Sequence, residues 1–250
     1  MASGVVLKAR PIEYPEDDGE PLSDNTLQFR WIMTIQGGLD ALFAQNPQVF
    51  VAGNLLWYPL EGDNVTRRAL DAMVVFARPK GERGSYRQWD EAGIGPQVVF
   101  EVLSPGNRPG ELVRQFRFYE RFGVEEYYIY DPDQRLLVGY ARRGAVLEEI
   151  ENTAGWVSPR LGIRFELSSG ELQIFRPDGR MVATYLELAE ENQLAHERAD
   201  LERQRADKEQ KLAEQERRRA EKQRARAEQE QKRAESLAEK LRQHGIDPDA

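Results

Sequence analysis

Two apolar stretches decide the fold: Leu70-Asp71-Ala72-Met73-Val74-Val75-Phe76 and Val98-Val99-Phe100-Glu101-Val102-Leu103. Each has the length and β-branched content of a buried strand, and each carries one acid. In the second stretch, alternation puts Val99, Glu101 and Leu103 on one face and Val98, Phe100 and Val102 on the other. Both faces are apolar except for Glu101, which predicts a central strand with a partly buried carboxylate. Asp71 stands at the mouth of its own strand. A buried carboxylate is costly unless something positive meets it, and a divalent metal does so compactly. Pairing with an arginine, or capping a turn, would satisfy each acid as well, and on residue pattern alone both readings stand. An acid at the end of one strand and another on the following strand form the minimal constellation of a metal-dependent phosphodiesterase site. The Val102 carbonyl beside Glu101 offers a further oxygen ligand of the kind magnesium accepts.

Working outward, Ser23 or Asp24 is placed to cap a helix running to about Ala44, with Leu27, Trp31, Ile35, Leu39 and Leu42 at helical spacing. Gly37 and Gly38 weaken that helix unless they mark close packing on a neighbour. Strands are expected at Val49–Ala52 and Leu55–Leu60, then a turn at Glu61-Gly62-Asp63-Asn64 leading into the Asp71 strand. Pro79 to Pro96 reads as a long polar connection. Its Lys80, Arg83, Tyr86, Arg87 and Trp89 fit either solvated loop chemistry or a grip on a nucleic-acid backbone. A Ser-Pro-Gly-Asn turn follows the Glu101 strand, then a helix from about Pro109 to Phe122 closed by Gly123. Further strands are expected at Glu126–Tyr130, at Leu136–Ala141 and Ala145–Ile150 as a hairpin, and at Ile163–Leu167 and Leu172–Phe175 as a short pair. Helix, strands, helix, strands is the order of an α/β or α+β domain.

Composition narrows the chemistry. The chain has 250 residues, a formal net charge of -8 and no cysteine, so disulfides, zinc–thiolate sites and thiol catalysis are excluded. Its two histidines, His196 and His244, both lie in the charged tail, which argues against His-based triads. Acids outnumber bases on both sides of Arg180, a poor prior for tight nonspecific nucleic-acid binding but no bar to a metal-dependent nuclease. No apolar stretch reaches membrane-spanning length and the first residues carry no basic-then-apolar signal, so a soluble cytoplasmic protein without membrane association is expected.

The expected organisation is a loop segment over residues 1–21, an α/β domain over 22–180 and a charged helical tail over 181–250. In the tail, Ala199, Ala206, Ala213, Ala220, Ala227, Ala234 and Leu241 recur every seven residues. The companion position holds Glu202, Glu209, Glu216, Gln223 and Glu230 before Leu237, so half of a coiled-coil seam is missing. A solvated charged helix and a homodimer formed through the C-terminal helix as a coiled coil both remain open.

The stretch from about Tyr14 to Pro132 resembles the Uma-type family of restriction-endonuclease-like proteins, a branch of the PD-(D/E)XK nuclease superfamily. The residues that carry the resemblance are Asp18-Gly19-Glu20-Pro21, Asp71 with Val74-Val75-Phe76, Gly84-Ser85-Tyr86, Phe100-Glu101-Val102-Leu103-Ser104-Pro105-Gly106-Asn107-Arg108, and Tyr119 through Tyr128. It implies a restriction-endonuclease-like mixed β-sheet flanked by helices, magnesium (or manganese) as cofactor, and DNA as the substrate of phosphodiester cleavage. Asp71 and Glu101 match the motif acids, and Glu20 matches an acid near the family's first helix, an additional candidate ligand.

The superfamily's lysine two residues after the glutamate is Leu103 here. In the variants this family resembles, the lysine migrates to the following helix, at the position of Gln115. Glutamine hydrogen-bonds but supplies no charge to a developing phosphorane, a contribution typically worth about 10²–10³ in rate. Arg114 and Arg117 flank it but point away from the helix line through Glu111, Gln115 and Tyr119. Leu70 replaces the proline that usually precedes the aspartate. Two functions follow: a magnesium-dependent endonuclease weakened at Gln115, or a catalytically silent binding or scaffold protein assembling through its tail.

Overall fold

The computed structural model describes residues 12–17, 19, 23–167 and 170–243, and the chain divides into two compact units between Leu188 and Ala189. Helix α1 spans Thr26–Leu42 and is capped by Asn25, whose side chain accepts from the Gln28 N–H at 2.8 Å. The cap is therefore one residue later than Asp24 and two later than Ser23, and the Asp24 carboxylate makes a contact described below. Glu20 lies outside the described residues, as does most of the N-terminal loop segment.

Six strands form the main sheet, in the order β1 (Val49–Ala52), β4 (Ala72–Phe76), β6 (Val98–Val102), β7 (Glu126–Asp131), β8 (Leu136–Arg143) and β9 (Val146–Glu149). All neighbours run antiparallel except β6 and β7. That parallel pair needs a crossover, supplied by helix α2 (Pro109–Arg121). The helix begins with proline at its first turn and closes before Gly123 at φ +86°, the left-handed conformation glycine adopts without penalty. A second sheet joins β2 (Leu55–Tyr58) to β3 (Arg68–Leu70) and to the two-residue β5 (Tyr86–Arg87). A separate pair, β10 (Arg164–Glu166) and β11 (Gln173–Phe175), completes the domain.

The mixed sheet flanked by helices is the architecture expected. On one face Trp31, Ile32, Ile35 and Leu39 of α1 pack with Val74, Val98, Phe100, Val102 and Tyr128. On the other, Phe116, Phe118 and Phe122 of α2 meet Met73, Val75, Val99, Tyr127 and Trp57. All five β6 residues are buried, as a central strand requires.

Three sequence expectations change. Asp71 lies between strands, at the point where the chain leaves β3 in one sheet and enters β4 in the other. The connection from Pro79 to Pro96 is not simply polar: Tyr86 is fully buried in β5 and donates to the Ile94 carbonyl at 2.7 Å. Arg83 there binds Glu91 at 2.6 Å and lies over the Phe50 ring, while Lys80 pairs with Asp40 at 3.0 Å, so much of the loop's basic chemistry serves the fold. The β8–β9 hairpin pairs Arg143 with Val146, which narrows its turn to Gly144-Ala145.

Helix α3 (Tyr185–Gln243), whose residues from Ala189 onward belong to the second unit, is one continuous helix, about 88 Å long at helical rise. Leu194, Leu201, Leu212 and Leu237 are exposed along it. Glu214 and Arg218 form the expected i,i+4 pair at 2.8 Å. Among the described residues no helix is long and apolar enough to cross a membrane.

The two adjacent glycines of α1 separate cleanly. A Cβ on Gly38 would sit 2.2 Å from Val182 Cγ1, whereas one on Gly37 meets nothing within 4 Å. Gly37→Ala is expected to stabilise the protein by about 0.5–1 kcal/mol through helix propensity. Gly38→Ala is expected to destabilise it by about 1–3 kcal/mol through overpacking. Urea denaturation of the two variants checks this, and equal shifts would contradict the packing.

Candidate active site

Antiparallel register brings the two acids together. β4 and β6 pair Ala72 with Phe100, so one step further along the ladder Asp71 stands opposite Glu101. The backbone of β6 holds it there: the Val102 N–H donates to Asp71 Oδ2 at 2.7 Å. Glu101, 6% exposed, accepts on Oε1 from the Tyr119 hydroxyl of α2. The two carboxyl groups stand close enough for each to act on the ionisation of the other. Each acid thus spends one oxygen on a protein donor.

These groups open into a polar cavity of about 380 Å³. Asp24, Gln28, Arg68, Asn107, Glu111 and Gln115 also line it. Gln28 on α1 donates through Nε2 to the Val102 carbonyl at 2.8 Å and accepts the Asp24 N–H on Oε1 at 2.8 Å. It therefore fastens α1 to the end of β6 and occupies one of the two lone pairs on the carbonyl offered as a metal ligand. Asp24 accepts from the Ser104 hydroxyl, and Asn107 Oδ1 accepts the Ser104 N–H at 2.7 Å. The Ser-Pro-Gly-Asn turn thereby fixes Asp24 at the cavity wall.

Electrostatics follow from burial. Desolvation raises the Asp71 carboxyl to about 6, with the Asp24 charge adding to it and the Val102 and Glu101 hydrogen bonds opposing it. Burial and the neighbouring Asp71 charge drive Glu101 well above the ordinary carboxyl range, against the opposing pull of the Tyr119 hydroxyl and the Arg68 guanidinium. Neither acid makes an ion pair among the described residues. The arginine-neutralised alternative left open by sequence is therefore not the arrangement found.

Gln115 stands where the helix line placed it, at the cavity with Glu111 one turn before and Tyr119 one turn after. Its Oε1 is buried and has no hydrogen-bond partner among the described residues. Arg114 and Arg117 are exposed. No group of three or more His, Cys, Asp or Glu side chains among the described residues is gathered into a ready-made metal cage. Sequence reasoning missed Asp24, Gln28 and Arg68 at this site. Only the local S-D-N-x-x-Q capping pattern hinted at the first two, and nothing local marked Arg68.

The raised pair has a consequence for stability. Between the ordinary carboxyl range near 4 and its raised values, the folded protein binds more protons than the unfolded chain. The pair's contribution to stability therefore falls as pH rises. Glu101→Gln keeps the shape and can still accept from Tyr119, without a charge to suppress. In metal-free buffer the variant should be more stable than the native protein near neutral pH, by on the order of 1–3 kcal/mol, with the gap closing toward about pH 4. A native advantage that grows with pH in denaturant titrations would contradict the raised pair.

Residues 34–169 match the Uma2 family, described as "Putative restriction endonuclease". No curated protein matches the chain. Among solved structures, the chain is similar to a crystal structure described as a putative nuclease belonging to DUF820 from Anabaena variabilis. The two are 12% identical with a TM-score of 0.41, over 54% of this chain and 72% of that one. With the family match spanning more than half of its residues, the chain belongs to the Uma2 family of restriction-endonuclease-like proteins.

Proposed function

We propose that this Uma2 protein is a metal-dependent endonuclease that hydrolyses DNA phosphodiester bonds. The observation that carries the reading is the meeting of Asp71 and Glu101 at one wall of an open polar cavity, Glu101 buried, Asp71 half-buried, and neither neutralised by a cation bound to it. Their donor chemistry fits magnesium or manganese. Hard carboxylate oxygens are the ligands these ions prefer, and magnesium commonly takes only one or two carboxylates, with waters and substrate phosphates completing its shell. Asp71 and Glu101 would hold the ion, and the remaining lone pair of the Val102 carbonyl is available to it. When bound, the ion would polarise the phosphate and make a water more acidic.

The chain's own residues set the rest. The Val102 N–H and the Tyr119 hydroxyl fix the two carboxylates so that their remaining oxygens turn toward the cavity. Gln28 holds the Val102 carbonyl in register, and Asp24 adds negative charge that favours a cation nearby. Gln115 can hydrogen-bond a water or a phosphate oxygen through its amide, but it brings no charge.

A second reading, a nuclease fold that binds without cutting, is favoured by Gln115 alone. Asp71→Asn and Glu101→Gln separate the two. Manganese binding, followed by calorimetry, should be lost in both variants. Cleavage of a plasmid substrate should fall by on the order of 10³-fold. Native cleavage at background level with manganese binding intact would favour the silent fold. Manganese bound equally by native protein and both variants would overturn the metal site itself.

A further inference from the structure

Gln115 leaves a charge missing from the site, and the cavity contains a candidate to supply it. Arg68 lies on β3, the strand that runs directly into Asp71 and packs against β6. It lines the same cavity as Asp71, Glu101 and Gln115. It is half-buried, and its guanidinium makes no hydrogen bond or ion pair with any described residue. Neighbouring arginines are committed elsewhere. Arg67 binds the Tyr58 hydroxyl at 3.2 Å and stacks on that ring, and Arg142 binds the carbonyls that end α2, Glu120 at 2.7 Å. Arg83 is held by Glu91 and Arg160 by Glu125. A half-buried guanidinium with five donors and no acceptor is incompletely satisfied unless an anion or water meets it.

We propose that Arg68 is the phosphate-holding residue of this site, supplying from β3 the fixed positive charge that a lysine at position 115 would supply from α2. This inference deepens the nuclease reading and rests on it for the identity of the substrate. Charge balance supports it. Two ionised carboxylates and one divalent cation sum to zero, so an incoming phosphodiester brings one negative charge that Gln115 cannot offset. A guanidinium offsets it, and its planar fork matches two phosphate oxygens at once. Arg68 forms no covalent bond and carries no proton in this role. A water oxygen bonds to phosphorus, the phosphorus–oxygen ester bond breaks, and the leaving oxygen takes a proton ultimately derived from that water.

The test compares native protein with Arg68→Gln, using a fluorescein-labelled DNA duplex in buffer containing calcium so that binding is read without cleavage. Arg68→Gln should bind the duplex about tenfold more weakly, and its dependence on salt should lose about one unit of slope. Manganese binding by calorimetry should be unchanged, which separates phosphate holding from damage to the acid pair. Because the neutral variant removes a half-buried group, a second measurement uses the native fold: the Arg68 Nε–H resonance, assigned with Arg68→Lys, should shift when the duplex is added. Equal duplex binding by Arg68→Gln, or a resonance that does not move, overturns the role of Arg68. That result leaves the nuclease reading standing if native cleavage still depends on Asp71. Conversely, cleavage indifferent to Asp71→Asn defeats the nuclease reading, while the duplex comparison still decides whether Arg68 holds phosphate.

Discussion

Two carboxyl groups held against one another at a strand end, Glu101 buried and Asp71 half-buried, are the constraint around which this domain is built. Asp71 and Glu101 come together because β4 and β6 pair with a register that puts them across from one another. Burial then raises both acids, most of all Glu101. An arrangement of this kind costs stability in the absence of a cation. The surrounding structure holds it in place: the Val102 N–H grips one acid, the Tyr119 hydroxyl the other, and Gln28 ties the same strand end to α1. Three elements that share no local sequence therefore converge on a few atoms.

Two topological features make that convergence possible. The chain changes sheets between β3 and β4, and the break in strand geometry leaves the Asp71 side chain at a mouth instead of inside a ladder. The parallel β6–β7 pair requires a helical crossover, and that crossover brings Gln115 and Tyr119 over the end of β6. Gly38 lets α1 pack closely on Val182, and the first turn of the same helix brings Gln28 to the site. The α3 helix, by contrast, presents an exposed surface with half of a coiled-coil seam.

Much of this was legible before any coordinates. Helical apolar spacing located α1, continuous apolar runs located β4 and β6, the Ser-Pro-Gly-Asn turn and Gly123 bounded α2, and an acid inside each of the two runs marked Asp71 and Glu101. Helical spacing alone put Glu111, Gln115 and Tyr119 on one line, which is the line that meets the cavity. What escaped were features fixed by tertiary contact. Asn25 rather than Asp24 caps α1, and Asp24 instead accepts from Ser104 some eighty residues away. The Val102 carbonyl is partly used by Gln28, a pairing across 74 positions. Arg68 had no local mark at all: a guanidinium beside a turn reads as solvated until the fold shows which cavity it borders. Glu20, suggested by family resemblance, lies outside the described residues.

The central claim is that Asp71 and Glu101 form one cation site. Crystals of the native protein soaked in manganese test it most directly, through anomalous scattering at the manganese edge. A single strong peak within coordination distance of both the Asp71 and the Glu101 carboxylates is expected. An absent peak, or one ligated by neither acid, would contradict it.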